Sequence, residues 1–226
     1  MKKIGIVIAD ADEFLPLQKK MVSLGGRENT VCGRLAYTFD MGGCEITAVL
    51  CGIGKVNAAA AASALAERGT EILLNCGLSG GISGVARGDI CIPERFLEHD
   101  FDLTGLGYKK CEKPSQKYIY DADGELTAVL KKIFPFAKTG TAVSGDCFVS
   151  DDTLRNNLKN DFSAMSCDME SAAIAYVCKM YCIKFACVRK ISDDAGAQAG
   201  DSYRQINALA EDVLINGILS IIAKIA

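Results

Sequence analysis

The sequence predicts a single α/β domain over residues 1–226, three layers thick, with a central mixed sheet flanked by helices. Short apolar runs of strand length alternate with helix-periodic stretches along the whole chain. Half of the 226 residues are hydrophobic, enough to bury a substantial core. Glycine (22 residues) far outnumbers proline (4), as in a compact chain with many tight turns and unlike a disordered or fibrous one. No internal repeat, low-complexity segment or linker interrupts this alternation.

The first strand is expected over Lys3–Ile8, followed within a few residues by a helix at Glu13–Val22. Its apolar stretch, Ile4 to Ala9, ends at Asp10 and is too short for a secretory signal. A second strand, Glu45–Cys51, leads into the helix Val56–Arg68, whose alanines make it the best helix former in the chain. Strands follow at Glu71–Cys76 and Asp89–Ile92, then a helix at Leu126–Ile133 and a strand at Lys138–Ser144. Next come a helix at Asp152–Lys159, a weaker strand at Ala164–Met169, a helix at Glu170–Met180 and a last strand at Lys184–Ile191. The C-terminal segment Ser202–Ala226 reads as one long amphipathic helix lying on the sheet. Its apolar stripe is Ile206, Leu209, Ala210, Val213, Leu214, Ile218, Ile221 and Ile225, with Gly217 as a close-contact point.

Composition excludes several classes of function. The net charge of −3 is dispersed, so neither a nucleic-acid groove nor a polybasic membrane patch is expected. No apolar run is long enough to span a bilayer. The eleven cysteines are odd in number and contain no CxxC unit; Cys51, Cys76, Cys91 and Cys187 sit in apolar runs, as small core residues do. With His99 the single histidine, a zinc site has little to build from, and no metal is expected. Reduced thiols point to the cytoplasm.

Ligands of open α/β sheets bind beyond the carboxyl ends of strands. There the chain places Ala9-Asp-Ala-Asp-Glu13, Cys51-Gly-Ile-Gly-Lys-Val56, Asn75-Cys-Gly-Leu-Ser-Gly-Gly-Ile82, Ser144-Gly-Asp-Cys-Phe-Val149, Cys167-Asp-Met-Glu170 and Arg189-Lys-Ile-Ser-Asp-Asp194. Taken singly these are weak signals. Acidic residues in a first helical turn complement the helix dipole. Gly52-Ile-Gly54 lacks the third glycine of a dinucleotide fingerprint and is no P-loop, and its lysine can simply start a helix.

Together, and in this order, they resemble the nucleoside phosphorylase/nucleosidase superfamily and, within it, the 5′-methylthioadenosine/S-adenosylhomocysteine nucleosidases. Lys3-Ile-Gly-Ile and His99-Asp-Phe-Asp-Leu-Thr104 extend the likeness to essentially the whole chain. The resemblance implies a nucleoside phosphorylase-like fold and hydrolysis of a purine N-glycosidic bond, with no metal or organic cofactor. It implies Asp193 as the general acid at the purine N7 and Glu13 as the residue that activates water. Glu170 would hold the ribose hydroxyls above Met169, and Arg189 would orient the water and the carboxylates. Ser192 would support the Asp193 loop. Phe148 would stack on the base while the Val149 backbone reads its edge. Ser79 and Gly80 would meet the substrate in the glycine-rich turn, and Ile53 would line an apolar 5′ pocket. Tyr108, beside Pro114, would complete that pocket in a second subunit, implying a homodimer.

Four positions depart from the family pattern: Asp10, Leu78, Leu106 and Asp168. They leave open a different 5′ group, such as that of an aminofutalosine-like nucleoside. Two other readings compete. A phosphorylase of the same fold would need an arginine-lined phosphate site, where this chain carries acidic residues around Glu13. A non-catalytic nucleoside-binding protein would have no need of both Glu13 and Asp193.

Overall fold

A computed structural model describes residues 1–205 and 212–225 of the chain. β1 (Lys2–Ile8) runs parallel to β4 (Cys44–Leu50) on one side and β5 (Ile72–Gly81) on the other. Beyond β4 lie β3 (Arg34–Met41) and β2 (Arg27–Val31), both antiparallel.

The other half of the sheet curls into a ring. β5 pairs in parallel with β10 (Lys184–Asp193), which is antiparallel to β6 (Ile90–Glu98). β6 runs parallel to β8 (Lys138–Ser144), and β8 to β9 (Ala164–Asp168). β9 returns antiparallel to the end of β5, so five strands close on one another, and β7 (Ile119–Asp121) hangs from β6.

Side-chain alternation along β1 divides the core. Ile4, Ile6 and Ile8 pack with Phe14, Leu17 and Met21 of α1 (Ala11–Ser23) and with Leu214, Ile218 and Ile221 of α7 (Asp212–Ile225). On the opposite face, Val7, Val49 and Leu73 meet Ala58, Ala61, Ala62 and Leu65 of α2 (Lys55–Glu67) and Ile174 and Val177 of α5 (Ser171–Tyr181). α3 (Gly124–Ile133), α4 (Asp152–Phe162) and the short α6 (Ala199–Arg204) complete the described helices. Sheet and helices form the mixed α/β architecture expected from the sequence.

Four features differ from expectation. The β2–β3 hairpin was not signalled, because Arg27–Val31 is a polar edge strand and its turn is Cys32-Gly33 in place of an asparagine–glycine pair; both turn residues have positive φ (44° and 73°). The three-residue β7 was missed as well. β5 and β6 continue well past Cys76 and Ile92, so the glycine-rich segment through Gly81 is strand instead of turn. The expected helix Ser202–Ala226 is represented by the end of α6 and by α7; Ile206, Leu209 and Ala210 of its stripe lie outside the described residues, and Val213 is exposed. The close contact at Gly217 is present, since a Cβ there would come within 2.2 Å of the Phe134 ring.

None of the eleven cysteines is in a disulfide; Cys32, Cys147 and Cys182 are exposed and the rest buried. No described helix is long and apolar enough to cross a membrane.

Candidate active site

A cavity of about 470 Å³ opens at the carboxyl ends of β1, β5, β9 and β10. Glu13, Ile53, Ser79, Gly80, Phe148, Met169, Glu170, Arg189, Ser192 and Asp193 all line it. Val149 lines an adjoining space of about 40 Å³ that shares Phe148, Met169 and Asp193. Tyr108 touches neither space and is partly exposed.

The floor is organised by Arg189, on β10 and 2% exposed. Its Nη2 donates to Asn75 Oδ1 at 2.8 Å and stands 3.2 Å from Asp168 Oδ2 and 3.7 Å from Glu170 Oε2; its Nη1 donates to the Leu78 carbonyl at 3.2 Å. Burial of such a cation is tolerable only with this many acceptors. Asp168 in turn receives the Ser144 hydroxyl at 2.6 Å and the Glu170 and Ser171 N–H groups at 3.0 Å each. Burial opposes its ionisation, yet Arg189 and these donors hold its carboxyl below the usual pKa. The departure at Asp168 is therefore a well-held anion, one whose partner Ser144 sits at the end of the neighbouring strand β8.

Glu170 borders the floor, accepting the Gly54 N–H at 3.0 Å. Burial raises its pKa, with Arg189 pulling the other way. Glu13 projects from the first turn of α1 and accepts the Leu78 N–H at 3.1 Å. Its burial pushes the pKa up to about 8, against the pull of Arg189 and Leu78. Gly77 makes this approach possible, since a Cβ there would stand 2.5 Å from Glu13 Oε2 and 2.7 Å from Arg189 Nη1. The Leu78 departure matters little for this contact, which uses its backbone.

Asp193 ends β10. Its Oδ1 accepts the Ala195 N–H at 2.8 Å and its Oδ2 lies 2.6 Å from the Ser192 hydroxyl oxygen. That hydroxyl is also 3.2 Å from the Ser79 carbonyl. The Ser192 hydroxyl donates to Asp193 Oδ2, the nearer of the two acceptors. Burial raises the Asp193 pKa, with the Ser192 hydrogen bond opposing.

The mouth was less visible in the sequence. Ile53 and Phe148 are about half exposed, and Phe148 meets Tyr203 edge-to-face with ring centroids 5.7 Å apart. Gly200, Tyr203 and Arg204 of α6 line the cavity, although Tyr203 and Arg204 are expected from the sequence in a helix packing on the sheet. Asp10 also lines it, while its carboxylate caps α1 by accepting the Asp12 N–H at 2.8 Å. A short helix after the acid loop, with an aromatic one turn in, was the available signal for this wall.

A family model described as the phosphorylase superfamily matches residues 3–222. The chain is 33% identical to a 5′-methylthioadenosine/S-adenosylhomocysteine nucleosidase of Halalkalibacterium halodurans, over 100% of each chain. It is 28% identical, with a TM-score of 0.92, to the S-adenosylhomocysteine nucleosidase of Streptococcus pyogenes solved with 5-methylthiotubericidin, covering 100% of this chain and 98% of that one. A mutant of the Helicobacter pylori nucleosidase solved with 5′-methylthioadenosine in the active site shares the fold, with a TM-score of 0.95 at 24% identity over 99% of each chain.

Proposed function

From the premise that this chain belongs to the phosphorylase superfamily and, within it, to the 5′-methylthioadenosine/S-adenosylhomocysteine nucleosidases, we propose a role for each wall of the cavity. The enzyme hydrolyses the N-glycosidic bond of 5′-methylthioadenosine and S-adenosylhomocysteine, releasing adenine and the 5′-thioribose.

The observation that carries hydrolysis is the acidic lining: Asp10, Glu13, Asp168, Glu170 and Asp193 face the cavity together with Arg189 and Arg204. Both Nη groups of Arg189 are committed to protein acceptors, and Arg204 pairs with Asp201 at 2.8 Å. Such a wall suits water and repels phosphate.

In the reaction the C1′–N9 bond breaks and its electron pair moves into the purine. Asp193 gives a proton to N7, for which the rise of its pKa through burial prepares it, while Ser192 fixes the carboxyl in place. Glu13 orients a water on the opposite side of the sugar and, in its ionised form, which its pKa of about 8 makes the minor one at neutral pH, accepts the water proton as oxygen bonds to C1′. Glu170 holds the ribose hydroxyls over Met169, and Arg189 keeps the three carboxylates of the floor in register. Phe148 stacks on the base, with Ser79, Gly80 and the Val149 backbone along its edges, and Ile53 lies against the thioether.

Two coarser features complete the reading. Tyr108 and Leu106 are exposed on the loop where a second subunit would complete the 5′ pocket, so the enzyme acts as a homodimer. Eleven cysteines outside any disulfide suit a reducing cytoplasm.

The test is product analysis with 5′-methylthioadenosine and S-adenosylhomocysteine, with and without phosphate. Free adenine and free sugar at a phosphate-independent rate are expected. A phosphate requirement with a sugar 1-phosphate product overturns the water-binding role of Glu13.

A further inference from the structure

Two motifs remain without a task in the chemistry above, the lysine of Gly52-Ile-Gly-Lys-Val56 and the aspartate of His99-Asp-Phe-Asp-Leu-Thr104. The fold brings them together. Lys55 Nζ donates to Asp100 Oδ1 at 2.5 Å, the Asp146 N–H donates to Asp100 Oδ2 at 2.9 Å, and the Lys55 N–H donates to Asp146 Oδ1 at 2.8 Å. The first residue of α2 and two loop residues thus form a closed circuit of charge-assisted hydrogen bonds, the stronger kind. Glu98 adds a second carboxylate 3.1 Å from Lys55 Nζ and also pairs with Lys113, which lies 5.2 Å from the centroid of the Phe101 ring.

Two corners of the circuit adjoin the cavity. The residue before Lys55 is Gly54, whose N–H holds Glu170. Gly54 has φ +101°, and a Cβ would stand 3.1 Å from Asp146 Oδ1, so only glycine fits both the conformation and the contact. Two residues beyond Asp146 is Phe148, at the cavity mouth. Asp100 begins the segment that leads to Tyr108. The Lys55 side chain is only 16% exposed, so its pairs are not the freely solvated kind that contributes little.

We propose that Lys55 and Asp100 are positioning residues, a clamp that fixes the sugar-holding Glu170 and the base-stacking Phe148 relative to each other. The clamp touches no reacting atom. It acts through the Gly54 amide on one side and the Asp146 backbone on the other, so its loss should loosen substrate binding more than it slows chemistry. The proposal rests on the roles given above to Glu170 and Phe148.

The experiment compares the parent enzyme with Lys55→Met, Lys55→Arg, Asp100→Asn and the Lys55→Met/Asp100→Asn double variant. kcat and KM are measured for 5′-methylthioadenosine and its 2′-deoxy counterpart. For Lys55→Met a rise in KM of about tenfold is expected with kcat changed less than about threefold, together with a narrowed preference for the ribo substrate as Glu170 loses its register. Lys55→Arg should recover most of that loss. The double variant should be little worse than either single one, since both break the same circuit. Asp100→Asn keeps the shape of the side chain and serves if Lys55→Met does not fold. KM and ribo preference within about twofold of the parent, or strictly additive losses in the double variant, overturn the clamp. Failure of the parent to release adenine from either nucleoside would instead overturn the functional reading itself.

Discussion

The floor and the mouth of the cavity are built on opposite terms. On the floor, Glu13, Asp168, Glu170 and Arg189 are buried at strand ends and helix starts, and each is tied to others by hydrogen bonds or ion pairs. At the mouth, Ile53, Phe148 and Tyr203 come from loops and a six-residue helix, with Ile53 and Phe148 about half exposed. Groups that handle charge need fixed geometry and low dielectric, which only the sheet supplies. Groups that select a substrate by shape need apolar surface, which a loop or a short helix can provide. Substitutions on the floor should therefore damage folding or kcat, and substitutions at the mouth should damage KM.

The sharpest way to break this contrast is Arg189→Met. Removing the guanidinium leaves Asp168 and Glu170 buried without their cation, at a cost of about 3–5 kcal/mol together with loss of turnover. Urea unfolding followed by circular dichroism measures it. An unchanged midpoint would mean that the floor is not a coupled ionic unit. Next comes Asp193→Asn, which keeps the shape and removes the acid; kcat should fall about 10²- to 10⁴-fold with KM little changed. A large KM effect with intact kcat would move Asp193 from the chemistry to binding.

Gly77→Ala tests the close approach beneath Glu13. A methyl 2.5 Å from Glu13 Oε2 must displace the carboxylate, and kcat/KM should drop about 10- to 100-fold. Steady-state kinetics beside a thermal melt separates that displacement from general overpacking, which costs about 1–3 kcal/mol.

Glu13 also leaves a mark on stability. Its pKa rises from 4.5 in the unfolded chain to about 8 in the fold, through burial. Below the lower value both states are protonated and nothing is lost. Between the two, the unfolded chain ionises while the fold keeps its proton, so stability falls as pH rises, by up to about 1.4 kcal/mol per pH unit. Above the higher value the penalty is complete. Glu13→Gln should therefore melt progressively higher than the parent as pH rises from about 4.5 to 8, while losing turnover. Parallel melting curves across that range would place Glu13 in contact with solvent.

The same contrast governs what could be read from the sequence. Apolar strand runs such as Lys184–Ile191 and the alanine-rich α2 announce themselves by local pattern, and the floor residues follow because strand ends are where ligands meet an α/β sheet. The closure of β10 onto β6 left no local trace, being a pairing between distant strands. The need for Gly77 to lack a side chain depends on where Glu13 and Arg189 converge in space. Asp168 looked like a weakening of the family pattern until Ser144 and Ser171 were seen to hold it. Tyr203 was hidden because residues 202–226 carry an apolar periodicity that suggested one continuous helix.

Tyr203 is accordingly the mildest test of the mouth. Its ring meets Phe148 edge-to-face, an arrangement worth about 0.5–1.5 kcal/mol beyond the area it covers. Tyr203→Ala should raise KM about three- to tenfold through looser placement of Phe148, leaving kcat and the unfolding midpoint near those of the parent. A fall in kcat for the alanine variant would show that the mouth takes part in the chemical step, and the division between a catalytic floor and a selective rim would have to be redrawn.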